Sequence, residues 1–131
     1  MPPNAKVIIF DDDEHLRNTV KEVLNSSSHQ VIGEAGSIEE LEILLAQLDV
    51  SPTVFLLDNQ APWRPGESSD YKGVGHAARN RVKDRFGDQS IIVAFTSSKD
   101  TNYGDVNFDP SEQSLRKNLS EFITSLRHKE S

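Results

Sequence analysis

The feature that most constrains the fold is a run of four apolar residues followed directly by three aspartates, Val7-Ile8-Ile9-Phe10-Asp11-Asp12-Asp13. A short continuous apolar run rich in Val and Ile is typical of a strand that is buried on both faces of a sheet. Carboxylates at the end of such a strand are costly unless something positive binds them, and Mg²⁺ is the simplest candidate because it prefers oxygen ligands. The alternative is a solvated loop that caps the next helix, where Asp is also favourable.

The rest of the chain alternates predicted strands with predicted helices. Apolar runs predict strands at residues 6–10, 30–34, 53–57, 90–95 and 105–108. Helical periodicity predicts helices at residues 14–25, 38–48 and 73–86, and a last helix that begins at residues 109–111. Ser37 and Glu40 match a capping box, which supports the start of the second helix. This alternation predicts an α/β fold, with a five-stranded parallel sheet covered by helices on both faces.

Composition narrows the possible functions. The chain of 131 residues is predicted to form one domain, residues 1–131, and its net charge of -7 argues against unaided binding of nucleic acid or an anionic membrane. There is no cysteine, so disulfides, thiolate metal sites and Cys nucleophiles are excluded. No signal-peptide pattern is present and no apolar run approaches the roughly 20 residues of a membrane span, so we expect a cytoplasmic protein.

The candidate site lies where the predicted strands end. In parallel sheets ligands bind at the carboxyl ends of the strands. The residues at those positions are Asp11, Asp12 and Asp13 after the first strand, Asp58 after the third, Thr96 after the fourth and Asp109 after the fifth. Such a carboxylate cluster with a hydroxyl suits a divalent metal that neutralises phosphate oxygens, and one carboxylate can act as a nucleophile.

Two connections are atypical. Residues 59–72 contain two prolines and the lone Trp63, which either packs beneath the loop or presents a partner surface. Only about nine residues join the fourth and fifth strands, below the ~10–12 that a helical crossover requires. We therefore predict a loop or a single helical turn at this crossover. The four histidines are scattered and are predicted to be surface residues.

These motifs resemble the response-regulator receiver domain of two-component signalling over nearly the whole chain. Ile8-Ile9-Phe10-Asp11-Asp12 is similar to the first strand and acidic pair of that family, and Leu56-Leu57-Asp58 to its phospho-acceptor strand. Ile92-Val93-Ala94-Phe95-Thr96-Ser97 is similar to its fourth strand with the switch hydroxyl. Arg17, Gln60 and Pro62 also fall where the family pattern expects them.

The resemblance implies a flavodoxin-like, doubly wound sheet in the strand order 2-1-3-4-5. It implies that Asp58 accepts a phosphoryl group from a sensor histidine kinase or a phosphotransfer protein, and that Thr96 hydrogen-bonds this group. Asp11, Asp12, Asp58 and the backbone carbonyl of Gln60 would hold Mg²⁺ or Mn²⁺. A downstream protein target, rather than nucleic acid or a membrane, would receive the signal.

Three departures from the family pattern stand out. The Lys at the end of the fifth strand is here Asp109, which changes the local charge by two units in the unfavourable direction. The short crossover leaves the family's fourth helix reduced or absent, and the usual aromatic switch position is occupied by Val106. Lys99, three residues after Thr96, is a candidate for the missing positive charge.

Three functions remain open. The first is a stand-alone, phospho-accepting receiver, which is not an enzyme in the usual sense. The second is a pseudo-receiver that binds proteins constitutively without productive phosphorylation. The third, more distant, is a haloacid-dehalogenase-like phosphatase, because Phe10-Asp11-Asp12-Asp13 also fits that family's Asp-x-Asp start, although its downstream Lys and acidic pair cannot be placed.

Overall fold

A computed structural model describes residues 5–67, 74–97 and 99–130. The strands are Lys6–Phe10 (β1), Gln30–Ala35 (β2), Val54–Leu57 (β3), Ile91–Phe95 (β4) and Val106–Phe108 (β5). The helices are Glu14–Asn25 (α1), Ile38–Gln47 (α2), Val74–Phe86 (α3) and Glu112–Glu130 (α4). Each of these elements was predicted from the sequence, with ends that differ by up to three residues.

All five strands are parallel, in the order β2-β1-β3-β4-β5. The predicted α/β fold and strand order are therefore confirmed. The register pairs Phe10 with Leu57 and Leu57 with Ala94, so the central strands end at the same level. The residues that come after β1, β3 and β4 consequently meet at one edge of the sheet.

Side chains alternate between the two faces of the sheet, which gives two apolar cores. On one face, Val7 and Ile9 of β1 pack with buried residues of α1 and α4. On the other face, Ile8 and Phe10 pack with buried residues of α2 and α3. Because both faces of the central strands are covered, their sequences are continuous apolar runs rather than alternating ones.

The crossover from β4 to β5 contains no helix among its described residues, 96, 97 and 99–105, which confirms the prediction for this connection. Tyr103 takes part in the core beneath α3 and is only 1% exposed. Gly104 lies so close to β4 that an added Cβ would be 2.5 Å from the backbone nitrogen of Ala94. The end of the crossover thus lies directly against β4, and the ring of Tyr103 fills part of the core on this face of the sheet.

The loop after β3 supports the start of α2. The backbone carbonyls of Pro62 and Trp63 accept hydrogen bonds from the amides of Ile38 and Glu39, at 3.1 and 2.9 Å. Trp63 is 38% exposed, and the guanidinium of Arg81 lies 5.2 Å from its ring centroid. The ring therefore has both a packed and an exposed side. The remainder of the predicted loop, residues 68–72, and the predicted helix start at residue 73 lie outside the described residues.

Two details of the prediction were wrong. The last helix begins at Glu112 rather than at residues 109–111, because Ser111 lies at the cap position, where its hydroxyl accepts a hydrogen bond from the amide of Ser114. His29 is buried rather than on the surface, because both of its ring nitrogens have hydrogen-bond partners in distant segments. None of the described helices is sufficiently long and apolar to span a bilayer.

Candidate functional site

Three aspartates meet at the carboxyl ends of β1 and β3. Asp11, Asp12 and Asp58 each offer a carboxylate oxygen, and these oxygens lie within 4.8 Å of one another. Asp11 is buried, Asp58 is half-buried and Asp12 is exposed. The register of the sheet thus brings together carboxylates that follow separate strands, as the sequence predicts.

Asp11 is held firmly by the backbone around it. Its Oδ1 accepts a hydrogen bond from the amide of Asp13 at 2.9 Å, and its own amide donates to the carbonyl of Ala35 at 3.0 Å. Arg17 donates a hydrogen bond to the backbone carbonyl of Asp11 at 2.6 Å and forms an ion pair with Glu34. Its guanidinium therefore contacts the backbone of Asp11 and the side chain of Glu34. Burial, and then the charge of Asp58, raises the pKa of Asp11 to about 8.

Asp58 continues directly from the central strand β3. Its amide donates to the carbonyl of Phe10 at 2.9 Å, and its carboxylate accepts from the amide of Asn59 at 2.8 Å. Burial raises the pKa of Asp58 to about 6, although hydrogen bonds from the amides of Asn59 and Gln60 and from the Thr96 hydroxyl oppose the shift. The side chain of Thr96 therefore contacts the carboxylate that the sequence singles out as the nucleophile.

These residues border an open cavity of about 440 Å³. Its described lining residues are Asp11, Asp12, Asp13, Leu16, Asp58, Gln60, Thr96, Ser97, Asp109, Pro110 and Ser111. None of the described lining residues carries a positive charge, while five of them are aspartates. Asp109 is exposed but belongs to this lining, as the position after β5 predicts.

Lys99, the candidate substitute for the family's Lys, is exposed and does not contribute to the described cavity lining. Its role as a compensating cation stays a prediction. Gln60 does line the cavity, two residues after Asp58, and its backbone carbonyl is the predicted metal ligand. Whether that carbonyl ligates a metal also stays a prediction.

Two buried residues that support the site were not singled out from the sequence. Asn59, which is 3% exposed, accepts a hydrogen bond through Oδ1 from the amide of Gly75 at 2.9 Å. Tyr103 donates through its hydroxyl to the carbonyl of Leu57 at 2.8 Å. The only sequence signals were the amide side chain next to Asp58 and a single aromatic residue within an otherwise polar crossover.

The chemistry of the cluster fits a hard divalent cation. Every side-chain donor in it is a carboxylate oxygen, which is the ligand type that Mg²⁺ and Mn²⁺ prefer. Burial raises the pKa of both Asp11 and Asp58, so the cluster holds its negative charges at a free-energy cost. A bound cation would remove this cost.

Comparisons with known proteins agree on the fold. No protein-family model matches the chain, and no curated protein matches it by sequence. The non-phosphorylated receiver domain of the stress response regulator RcsB from Escherichia coli superposes with a TM-score of 0.72 over 97% of this chain and 95% of that one, at 18% identity. This chain has the fold of a response-regulator receiver domain.

Other receiver structures give the same result. The signal receiver domain of the response regulator NarL from Mycobacterium tuberculosis matches with a TM-score of 0.63 and 20% identity, over 96% of this chain and 98% of that one. The response regulator domain of Thermotoga maritima CheB matches with a TM-score of 0.65 and 16% identity, over 96% of both chains. Identities this low establish the receiver fold, while the roles of individual residues rest on the geometry of the site.

Proposed function

We propose that this receiver domain accepts a phosphoryl group on Asp58, with Mg²⁺ or Mn²⁺ held by Asp11, Asp12 and Asp58, and signals through contact with another protein. The single observation that carries the proposal is the meeting of three carboxylates within 4.8 Å, one of which is hydrogen-bonded by the hydroxyl of Thr96. A half-buried carboxylate nucleophile, two further carboxylates for a metal and a hydroxyl for the transferred group are parts that suit phosphoryl transfer to a carboxylate.

In the proposed reaction an Asp58 carboxylate oxygen attacks the phosphorus of a phosphohistidine or an acyl phosphate. An O–P bond forms while the P–N or P–O bond of the donor breaks, and the electron pair leaves with the imidazole or the carboxylate. An imidazole leaving group then takes a proton from water. Asp11, Asp12 and Asp58 would hold a divalent cation, which would offset the repulsion between the two anions.

The protein's own groups have separate roles in this step. The amides of Asn59 and Gln60 orient the Asp58 carboxylate through hydrogen bonds. The hydroxyl of Thr96, which contacts Asp58 before reaction, is placed to donate to a phosphoryl oxygen afterwards. The chain thus positions the acceptor and receives the group without turning over a substrate, so we infer a signalling domain rather than an enzyme.

A specific observation favours a second candidate, the pseudo-receiver. The described lining of the cavity carries five aspartates and no positive side chain, and Asp109 stands where the family has Lys. A phosphoryl group would add more negative charge to this cavity. If that repulsion prevents phosphorylation, the domain would bind its partner constitutively.

Incubation with acetyl phosphate and Mg²⁺ separates the two candidates. The phospho-accepting domain gains the mass of one phosphoryl group as an acid-stable, base-labile adduct, and peptide mapping places it on Asp58. Asp58→Asn abolishes the adduct, while Asp49→Asn, which changes an exposed aspartate outside the cavity, leaves it intact. A wild type that stays unmodified at saturating donor and millimolar Mg²⁺ supports the pseudo-receiver instead. Turnover of a generic phosphate ester would favour the phosphatase.

A further inference from the structure

The two residues that flank Asp58 are each tied to the same region of the structure. On the preceding side, the Leu57 carbonyl accepts the 2.8 Å hydrogen bond from the Tyr103 hydroxyl. On the other side, the Asn59 side chain accepts the 2.9 Å hydrogen bond from the amide of Gly75, in the first turn of α3. Both bonds are buried, so water does not compete for them.

Gly75 and Tyr103 are in turn packed directly against each other. A Cβ built on Gly75 would lie 2.6 Å from Cζ of Tyr103, so only glycine allows the ring to sit there. The ring also contacts His76, whose ring centroid is 5.5 Å away in an edge-on arrangement. The chain on both sides of Asp58 is therefore connected through one buried tyrosine ring.

The environment of the Tyr103 hydroxyl keeps it a donor. Burial, then the charges of Asp58, Asp100 and Asp11, raise the pKa of Tyr103 above its ordinary value. The phenol is therefore protonated at neutral pH and donates its hydrogen to the carbonyl of Leu57. The hydrogen bond to the Leu57 carbonyl places the hydroxyl one residue before Asp58.

We propose that Tyr103 is a positioning residue for Asp58, because its hydroxyl fixes the backbone one residue before the acceptor carboxylate. This inference rests on the proposed function of Asp58 and adds a residue from the crossover to it. A reacting group that is misplaced by about 1 Å can lose about 100-fold in rate. The hydroxyl is thus expected to affect the rate of the transfer step rather than the binding of the donor.

The test compares wild type with Tyr103→Phe, which removes only the hydroxyl and keeps the ring in the core. Ser90→Ala is the matched control, because Ser90 also donates a buried hydroxyl hydrogen bond to a backbone carbonyl, that of Pro52, at the far end of the sheet. Phosphorylation by acetyl phosphate with Mg²⁺ is measured over a range of donor concentrations. Urea unfolding is measured on the same samples.

We expect both variants to lower the urea midpoint, since each loses one buried hydrogen bond. Only Tyr103→Phe should slow phosphorylation at saturating donor, by about tenfold or more, with the half-saturating donor concentration unchanged. Amide hydrogen exchange gives a readout that does not depend on phosphorylation. The amides of Asp58 and Asn59 should exchange faster in Tyr103→Phe and at the wild-type rate in Ser90→Ala.

Unchanged phosphorylation and unchanged exchange at Asp58 and Asn59 in Tyr103→Phe would overturn the inference. An equal loss of rate in Ser90→Ala would overturn it as well, because the effect would then depend on stability alone. A wild type that is never phosphorylated overturns the proposed function, but the exchange rates still decide whether the Tyr103 hydroxyl holds this strand end. The two failures are therefore distinguishable.

Discussion

Replacing the carboxylate of Asp58 with a neutral side chain should raise the free energy of unfolding of the metal-free protein, and the size of this increase should depend on pH. Burial raises the pKa of Asp58 from 3.8 to about 6. The folded state therefore binds the proton more tightly than the unfolded state does. For a carboxyl group with a raised pKa, the stabilising contribution is fully present below pH 3.8 and is lost as the pH rises through 6.

The size of the effect can be calculated from the two pKa values. At 1.36 kcal/mol per pKa unit, the difference between 3.8 and about 6 corresponds to about 3 kcal/mol. Solvent reaches this half-buried carboxylate and screens its repulsion with Asp12. We therefore expect the ionised Asp58 to destabilise the metal-free protein by about 1–3 kcal/mol. Asp58→Asn should raise the free energy of unfolding by this amount at about pH 8, and by little below about pH 4.

The assay is urea unfolding at about pH 8, about pH 5.5 and below about pH 4, in EDTA and then in excess Mg²⁺. In EDTA, Asp58→Asn should be the more stable protein at the highest pH. In Mg²⁺ the difference in the free energy of unfolding between the two proteins should become smaller or change sign. The reason is that a ligand at about 100 times its dissociation constant stabilises only the protein that binds it, by about 2.7 kcal/mol. Asp49→Asn, at an exposed site outside the cavity, controls for the loss of one negative charge from a chain of net charge -7.

One result would refute this reasoning directly. If Asp58→Asn destabilised the metal-free protein at the highest pH, or changed stability equally at all three pH values, the carboxylate would not be held at an electrostatic cost. The case for a cation at the cluster would then lose its energetic basis.

Three further predictions concern single positions. Asp109→Lys should raise the rate of Asp58 phosphorylation by acetyl phosphate by about tenfold, and it should weaken Mg²⁺ binding measured by calorimetry. The reason is that two unit charges about 4 Å apart interact by roughly 4 kcal/mol, a value that solvent reduces for an exposed group. Gly104→Ala should cost about 1–3 kcal/mol in urea unfolding, since its Cβ would lie 2.5 Å from the backbone nitrogen of Ala94. His29→Ala should cost about 1–3 kcal/mol, because it leaves the buried amide of Ala5, just before β1, without its acceptor. An unchanged unfolding midpoint would contradict either stability prediction.

The fold and the acidic part of the site were predictable for a shared physical reason. Continuous apolar runs predict strands that are buried on both faces, and parallel strands bring their carboxyl ends to one edge. Once the strands were located, the convergence of Asp11, Asp58 and Thr96 resulted from the sheet itself. The position of Asp109 on the same cavity was predictable in the same way, although β5 is only three residues long.

Tyr103 and His29 were not predictable because their burial depends on non-local contacts. Tyr103 lies in a polar segment without periodicity, and it is buried because its ring packs against Gly75 of α3 and its hydroxyl bonds the carbonyl of Leu57. His29 is buried because its ring bonds Ala5 and Thr124, which are 24 and 95 residues away along the chain. No local pattern encodes pairings over such separations.

The altered features of this domain are concentrated in the connection between β4 and β5 and in the end of β5. The described residues of the short crossover form no helix, and the buried ring of Tyr103 is bonded through its hydroxyl to the carbonyl before Asp58. The strand that the crossover enters leads into Asp109, which adds negative charge to the cavity. The Tyr103 hydrogen bond favours one conformation of the acceptor segment, and the charge of Asp109 disfavours the added phosphoryl group. A partner that binds this domain should therefore discriminate less between its phosphorylated and unphosphorylated forms than the partner of a receiver with a mobile crossover and a lysine at this position.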